Sequence, residues 1–190
     1  MLWQRLLEKI AQRLAQLSTA ADVITMRALK NSDRPILYID SEQQLLAYVK
    51  RQSTITQYYP VSTSRYGLGQ HQGSFQTPVG IHRIAQKIGD GEPFGRVFKA
   101  RKPTDHQCLP DDESVEEDVI TSRILWLEGL EPDINQGAEV DSFQRYIYIH
   151  GTIDEARIGS PASIGCIRMK NIDIIELFAL VKQGDLVVID

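Results

Sequence analysis

The chain of 190 residues is 42% hydrophobic and 24% charged, enough apolar material for one well-buried core and too little for two. A formal net charge of -4, with no run of Lys and Arg interleaved with aromatic residues, excludes the electrostatic footprint of a nucleic-acid or anionic-membrane binder; a small charged solute is the expected partner. Its two cysteines, Cys108 and Cys166, make neither a disulfide framework nor a zinc pattern, so stability must come from the core.

Trp3, Leu7, Ile10, Leu14 and Leu17 recur at alternating steps of four and three, the apolar stripe of an amphipathic helix that packs on its own domain. Gln4, Arg5, Glu8, Lys9, Gln12 and Arg13 interrupt every apolar run, so neither an export signal nor a transmembrane segment is expected. The expected compartment is therefore the cytoplasm, with the periplasm as the alternative if a signal has been removed. The predicted organisation is an amino-terminal helix and linker over residues 1–30 and a domain over 31–190.

Short β-rich runs follow. Ile36 to Ile39 and Leu45 to Val49 read as a hairpin across Asp40-Ser41-Glu42-Gln43, and Ile55 to Val61 as a third strand. Gly67-Leu68-Gly69-Gln70-His71-Gln72-Gly73 lacks the Lys-Ser/Thr ending of a phosphate cradle and reads as a loop. Thr77-Pro78-Val79-Gly80 punctuates the chain before a strand from Ile81 to Ile84. Asp105, Asp111, Asp112, Glu113, Glu116, Glu117 and Asp118 mark 102–118 as a solvated surface excursion rather than a metal site, and regular structure returns at Arg123 to Leu127.

The carboxy-terminal third carries the chemistry. Tyr146-Ile147-Tyr148-Ile149-His150 alternates strictly, which sends Tyr146, Tyr148 and His150 to one face of a strand and both isoleucines to the other. Gly151-Thr152 ends this strand, and a connection through Gly159, Pro161 and Ser163 reaches Gly165-Cys166-Ile167-Arg168. Asn171 is the expected N-cap of a helix with Ile174, Ile175, Phe178 and Val181 on its apolar face and Gly184 as its stop; Leu186 to Ile189 forms a final buried strand.

A cysteine after glycine in a tight turn exposes its thiol while neighbouring backbone N–H groups converge, which is the geometry of an oxyanion hole. The thiolate is the nucleophile, and His150, 16 positions earlier, is the natural acceptor for its proton. On residue types alone, a structural buried thiol and a hydrogen-bonded core histidine remain the alternative.

The run His150-Gly151-Thr152, followed by Ile158-Gly159-Ser160-Pro161-Ala162-Ser163-Ile164-Gly165-Cys166-Ile167-Arg168-Met169-Lys170-Asn171, resembles the signature of the YkuD-type L,D-transpeptidase family. Thr77-Pro78-Val79-Gly80 matches its second, weaker motif, and the resemblance covers about Ile36 to Ile189. It implies a β-rich α+β domain, a mixed sheet or sandwich with few helices, and a reaction without metal or organic cofactor. It further implies that Cys166 attacks the L-centre carbonyl of meso-diaminopimelate in a murein stem tetrapeptide and expels D-Ala. His150 would be the base, oriented by a backbone carbonyl near Gly151, and the N–H groups of Gly165 and Cys166 would hold the oxyanion. Arg168 would hold the turn or a substrate carboxylate, with a structural ion pair as its alternative. Ser163 would bond the turn beside the histidine, and Tyr148, on the histidine's face, would contact substrate. Many members have His where this chain has Ile164.

Water as acceptor would make the protein an L,D-carboxypeptidase of peptidoglycan recycling, acting on free, sugar-linked or nucleotide-linked tetrapeptide. An amine acceptor would make it an L,D-transpeptidase forming 3-3 cross-links, and loss of chemistry would leave a muropeptide-binding module. The amino terminus favours the carboxypeptidase.

Overall fold

Near-continuous apolar runs, buried on both faces, build the central strands over Ile36–Asp40, Leu45–Val49 and Leu186–Ile189. The hairpin of β1 (Ile36–Asp40) and β2 (Leu45–Val49) sends Leu37, Ile39, Leu46 and Tyr48 into one core and Tyr38, Ala47 and Val49 into a second on the opposite face. Its turn is closed by the Asp40 carboxylate, which accepts from the amides of Glu42 and Gln43. These coordinates are a computed structural model that describes residues 34–50, 56–111 and 119–190. The helix expected over 1–30, Ile55 and the acidic run from Asp112 to Asp118 lie outside the described residues.

The remaining elements are β3 (Thr56–Ser62), β4 (Gly80–Ile88), β5 (Arg96–Lys99), β6 (Lys102–Gln107), β7 (Ile120–Gly129), β8 (Tyr148–Thr152), β9 (Ile167–Met169), the helix α1 (Asn171–Leu180) and β10 (Leu186–Ile189). They form one ten-stranded sheet in the order β4-β10-β1-β2-β3-β9-β8-β7-β5-β6, and β4 also pairs with β7. That pairing closes β4, β10, β1, β2, β3, β9, β8 and β7 into a circuit from which the β5–β6 hairpin projects. The sheet is mixed: β1 with β10 and β8 with β9 run parallel, the other pairs antiparallel. The expected β-rich architecture with few helices is the one observed. Ile174, Leu177 and Phe178 of α1 complete the main core. Among the described residues no helix is long and apolar enough to cross a membrane.

Four local expectations are corrected. The start of the supposed excursion is strand β6, an exposed polar edge whose Pro103 an edge position tolerates; with solvent on both sides it shows no apolar alternation. Strand β4 runs four residues past Ile84, where Lys87 donates to the carbonyls of Phe178 and Val181 at 2.6 Å each and ties down the end of α1. Tyr146 precedes β8 and adopts φ 58, so only Tyr148 and His150 share the strand face. Asn171 is the first residue of α1, not its cap; the cap position is Lys170, whose side chain makes no capping bond, and the Glu155 carboxylate accepts from the Asn171 N–H at 2.7 Å instead.

His82 on β4 is wholly buried between the Gly80 carbonyl at 3.1 Å and the Ser142 hydroxyl at 3.0 Å. Burial pushes its pKa down from 6.5 to about 4. The unfolded chain therefore binds the extra proton first, and this contribution to stability is complete above about pH 6.5 and is lost as pH falls toward 4. The expected result is a parent that loses about 3 kcal/mol more than His82→Gln between pH 7 and pH 4. Urea titrations of both proteins at several pH values test this, and parallel curves would refute it.

Candidate active site

Strands β8 and β9 set the site. Their parallel register pairs Ile149 with Ile167 and His150 with Arg168. Ile149 and Ile167 are fully buried in the main core, so the residues flanking them face the other way. Cys166 stands two positions before the partner of His150, which makes the thiol and the imidazole diagonal neighbours on one sheet face.

His150 is 3% exposed and its Nδ1 lies 2.8 Å from the Gly151 carbonyl. A carbonyl only accepts, so Nδ1 carries the proton and Nε2 keeps the lone pair that a base needs. Gly151 has no room for a side chain: a Cβ there would meet the Thr121 carbonyl at 2.6 Å and the Asn171 Oδ1 at 2.7 Å. Asn171 itself is a buried hub. It accepts from the Thr121 and Ser122 hydroxyls and donates to the Thr152 carbonyl and the Glu155 carboxylate, thereby joining β7, β8 and α1 beneath the histidine.

The Cys166 thiol donates to the Tyr146 carbonyl at 3.4 Å and packs against the cluster of Phe98, Ile124, Trp126 and Tyr148. Two hydroxyls shape its turn. Ser163 Oγ donates to the Cys166 carbonyl at 2.6 Å and accepts from the Gly165 N–H at 3.2 Å. Thr77 Oγ1, fully buried, donates to the Gly165 carbonyl at 3.0 Å and accepts from the Ser64 N–H at 3.0 Å. Gly165 between them has φ 128, a left-handed conformation that favours glycine.

Arg145 closes the cleft from the other side. Its guanidinium donates to the carbonyls of Gly69, Gln70 and Gln76, and so anchors the glycine-rich loop against the cysteine turn. Burial pulls its pKa down, and the neighbouring Cys166 opposes that shift. Above the thiol, Trp126 stacks on Phe143 with centroids 4.1 Å apart and meets the Tyr148 ring edge-on at 5.5 Å.

The chain matches the sequence profile of the L,D-transpeptidase catalytic domain, YkuD, over residues 34–189. It belongs to that family. A putative L,D-transpeptidase, YkuD of Bacillus subtilis (strain 168), is 52% identical over 42 residues, 22% of this chain and 26% of the relative. An L,D-transpeptidase from Mycobacterium smegmatis superimposes with a TM-score of 0.50 at 12% identity, covering 83% of this chain and 58% of that one. The L,D-transpeptidase of Xylanimonas cellulosilytica DSM 15894, residues 123–326, gives 0.50 at 16% identity, covering 94% and 76%. Against the first two relatives, then, the chain spans less than two thirds of their length.

Within this L,D-transpeptidase domain the residues singled out in the sequence divide. Cys166, His150, Gly151, Gly165 and Ser163 come together around one turn. The Gly165 N–H, however, is directed to Ser163, so it is not an oxyanion donor in this state. Arg168 has a side chain 6% exposed and bonds Asp154 at 3.1 Å, which is the structural ion pair rather than a carboxylate-binding site. Tyr148 is 5% exposed and its hydroxyl is held by Arg101 at 3.3 Å, with its ring packed against Cys166 and Trp126. His82 lies in the interior and does not line the cleft. Ile164, in contrast, two positions before Cys166, is 56% exposed. No three His, Cys, Asp or Glu side chains among the described residues are grouped to share a metal ion.

Thr77 and Arg145 carried no assigned role in the sequence reading. The Thr-Pro-x-Gly motif pointed to the first, but its purpose depends on a partner 88 residues away. Thr77→Val removes both hydroxyl bonds of a buried group, with an expected cost of about 2 kcal/mol. Thr77→Ser restores them. Thermal melts of the two variants check this, and an equal loss in both would show that the hydroxyl is not what Thr77 contributes.

Proposed function

We propose that this protein is a cysteine acyltransferase that cleaves the bond between the L-centre of meso-diaminopimelate and the terminal D-Ala of a peptidoglycan stem peptide, and passes the acyl group to an amine of a second stem. The observation that carries this reading is the diagonal placement of Cys166 and His150 on one face, with the imidazole oriented by the Gly151 carbonyl. The thiol proton goes to Nε2 of His150 as Sγ attacks the carbonyl carbon, and Nε2 returns it to the nitrogen of departing D-Ala. The tetrahedral oxyanion is held by the Cys166 N–H, the remaining one of the two donors expected. The resulting thioester is attacked by the acceptor amine, whose proton passes through Nε2 back to sulfur.

Hydrolysis is the second reading, and Ile164 favours it. An exposed side chain without a titratable group stands two positions before Cys166, where many members carry an imidazole, so no second base meets an acceptor ammonium. Water needs only His150. Mass spectrometry of purified protein with disaccharide tetrapeptide decides between the two. Cross-linked dimers with released D-Ala establish the transpeptidase, whereas tripeptide and D-Ala alone establish the carboxypeptidase. Absence of D-Ala release, with Cys166→Ala binding the peptide as well as the parent, would overturn both in favour of a binding module.

A further inference from the structure

The β5–β6 hairpin turns through Ala100 and Arg101, with Lys99 paired to Lys102. Both turn residues have positive φ, 49 and 67, in a turn that usually uses glycine or asparagine. Holding two ordinary side chains in the left-handed region is costly, and such outliers persist where the surroundings over-determine them. Here the surroundings are aromatic. The Arg101 guanidinium sits 4.9 Å from the centroids of both Trp126 and Tyr146, and its Nη1 donates to the Tyr148 hydroxyl at 3.3 Å.

These contacts tie Arg101 to the nucleophile by two routes. The carbonyl of Tyr146 accepts the Cys166 thiol, and Trp126 and Tyr148 belong to the cluster against which Cys166 packs. No Asp or Glu among the described residues pairs with this guanidinium, whereas Arg34, Arg83, Arg96, Arg157 and Arg168 all pair with a carboxylate. Unlike Arg145, whose donors are spent on three backbone carbonyls, Arg101 has a single hydrogen-bond acceptor among the described residues, the Tyr148 hydroxyl. Guanidinium has five N–H groups in a planar fork that matches a carboxylate two bonds at a time, and stacking on ring faces leaves its edge available.

We propose that Arg101 is the residue that binds a carboxylate of the acyl-donor peptide at the rim of the thiol cleft, and that this carboxylate is the terminal one of the departing residue. The inference rests on the acyl-transfer reading above. A terminal carboxylate lies one residue from the scissile carbonyl, so a cation that meets it must stand close to the thiol, and Arg101 sits on the ring of Tyr146, the residue whose carbonyl accepts the Cys166 thiol. The other candidate is the side-chain carboxylate of the diaminopimelate residue, which sits on the acyl side and would be retained after cleavage.

The test pairs Arg101→Gln and Arg101→Lys with three synthetic tetrapeptides: the natural acid, one ending in D-alaninamide, and one amidated at the diaminopimelate carboxylate. Arg101→Gln is expected to lower kcat/KM for the natural acid about 30-fold, with Arg101→Lys intermediate, and to change the D-alaninamide peptide less than 3-fold. Sensitivity that disappears with the diaminopimelate amide instead moves the contact to that carboxylate and overturns the assignment to the terminal one. Equal loss on all three peptides would make Arg101 a structural support and overturn the site. Calorimetric binding to Cys166→Ala and Cys166→Ala/Arg101→Gln gives a readout independent of turnover. Carboxylate-dependent binding without D-Ala release would sink the acyl-transfer reading and leave the site standing; binding indifferent to Arg101 would sink the site.

Discussion

Cys166→Ala and His150→Gln should each lower kcat/KM for a tetrapeptide substrate on the order of 10⁴-fold, and the double variant should be no slower than either single one. The non-additivity follows from geometry. Sγ can attack efficiently only if Nε2 takes its proton, and Nε2 has nothing to accept once the thiol is gone. The effect is separable from folding for Cys166, which is only partly buried, so Cys166→Ala should melt within about 2 °C of the parent. Steady-state release of D-Ala, read by mass spectrometry beside thermal melts, checks both parts. If His150→Gln kept more than a tenth of parent activity, another base would have to serve.

Gly151→Ala should cost about 3 kcal/mol of stability, or about 10 °C in melting temperature. A new methyl would sit 2.6 Å from the Thr121 carbonyl and 2.7 Å from Asn171 Oδ1, and neither atom has freedom to retreat. The carbonyl belongs to the β7–β8 ladder, and the amide oxygen already accepts from two hydroxyls. Any backbone shift also moves the Gly151 carbonyl that orients His150, so activity should fall further than the folded fraction does. Gly165→Ala provides the contrast. Its Cβ would find its nearest neighbours at 3.6 Å, so only the φ of 128 resists it, at a cost of about 1 to 2 kcal/mol. Urea unfolding of the two variants side by side tests the ranking, and a Gly151→Ala protein as stable as Gly165→Ala would contradict this packing account.

The central strands were legible because burial on both faces leaves near-continuous apolar runs bounded by turn residues. Leu37 and Ile39 and Leu46 and Tyr48 come from such runs, and Ile147 and Ile149 sit in the core where their alternation with polar-tipped neighbours put them. The polar edge strand β6 was not legible, since solvent on both sides selects for no pattern. Asn171 shows the same limit at a single residue. Its position before an apolar helical stripe reads as a cap, and only the packing of β7 and β8 against α1 presents four better partners.

At the site, residue types and short spacings picked out Cys166, His150, Gly151 and Gly165 as candidates, while the acyl-transfer role proposed for them came from the resemblance of the Cys-containing run to the L,D-transpeptidase signature. Tertiary structure decided which groups act together. It turned the Gly165 N–H toward Ser163, committed Arg168 to Asp154, buried Tyr148, and brought Thr77 to the Gly165 carbonyl, Arg145 to the Gln76 carbonyl and Arg101 to the Tyr148 hydroxyl from three separate segments. Hydrogen-bond partners and ion pairs between distant segments are settled by how strands register and hairpins project. Local periodicity carries no trace of that.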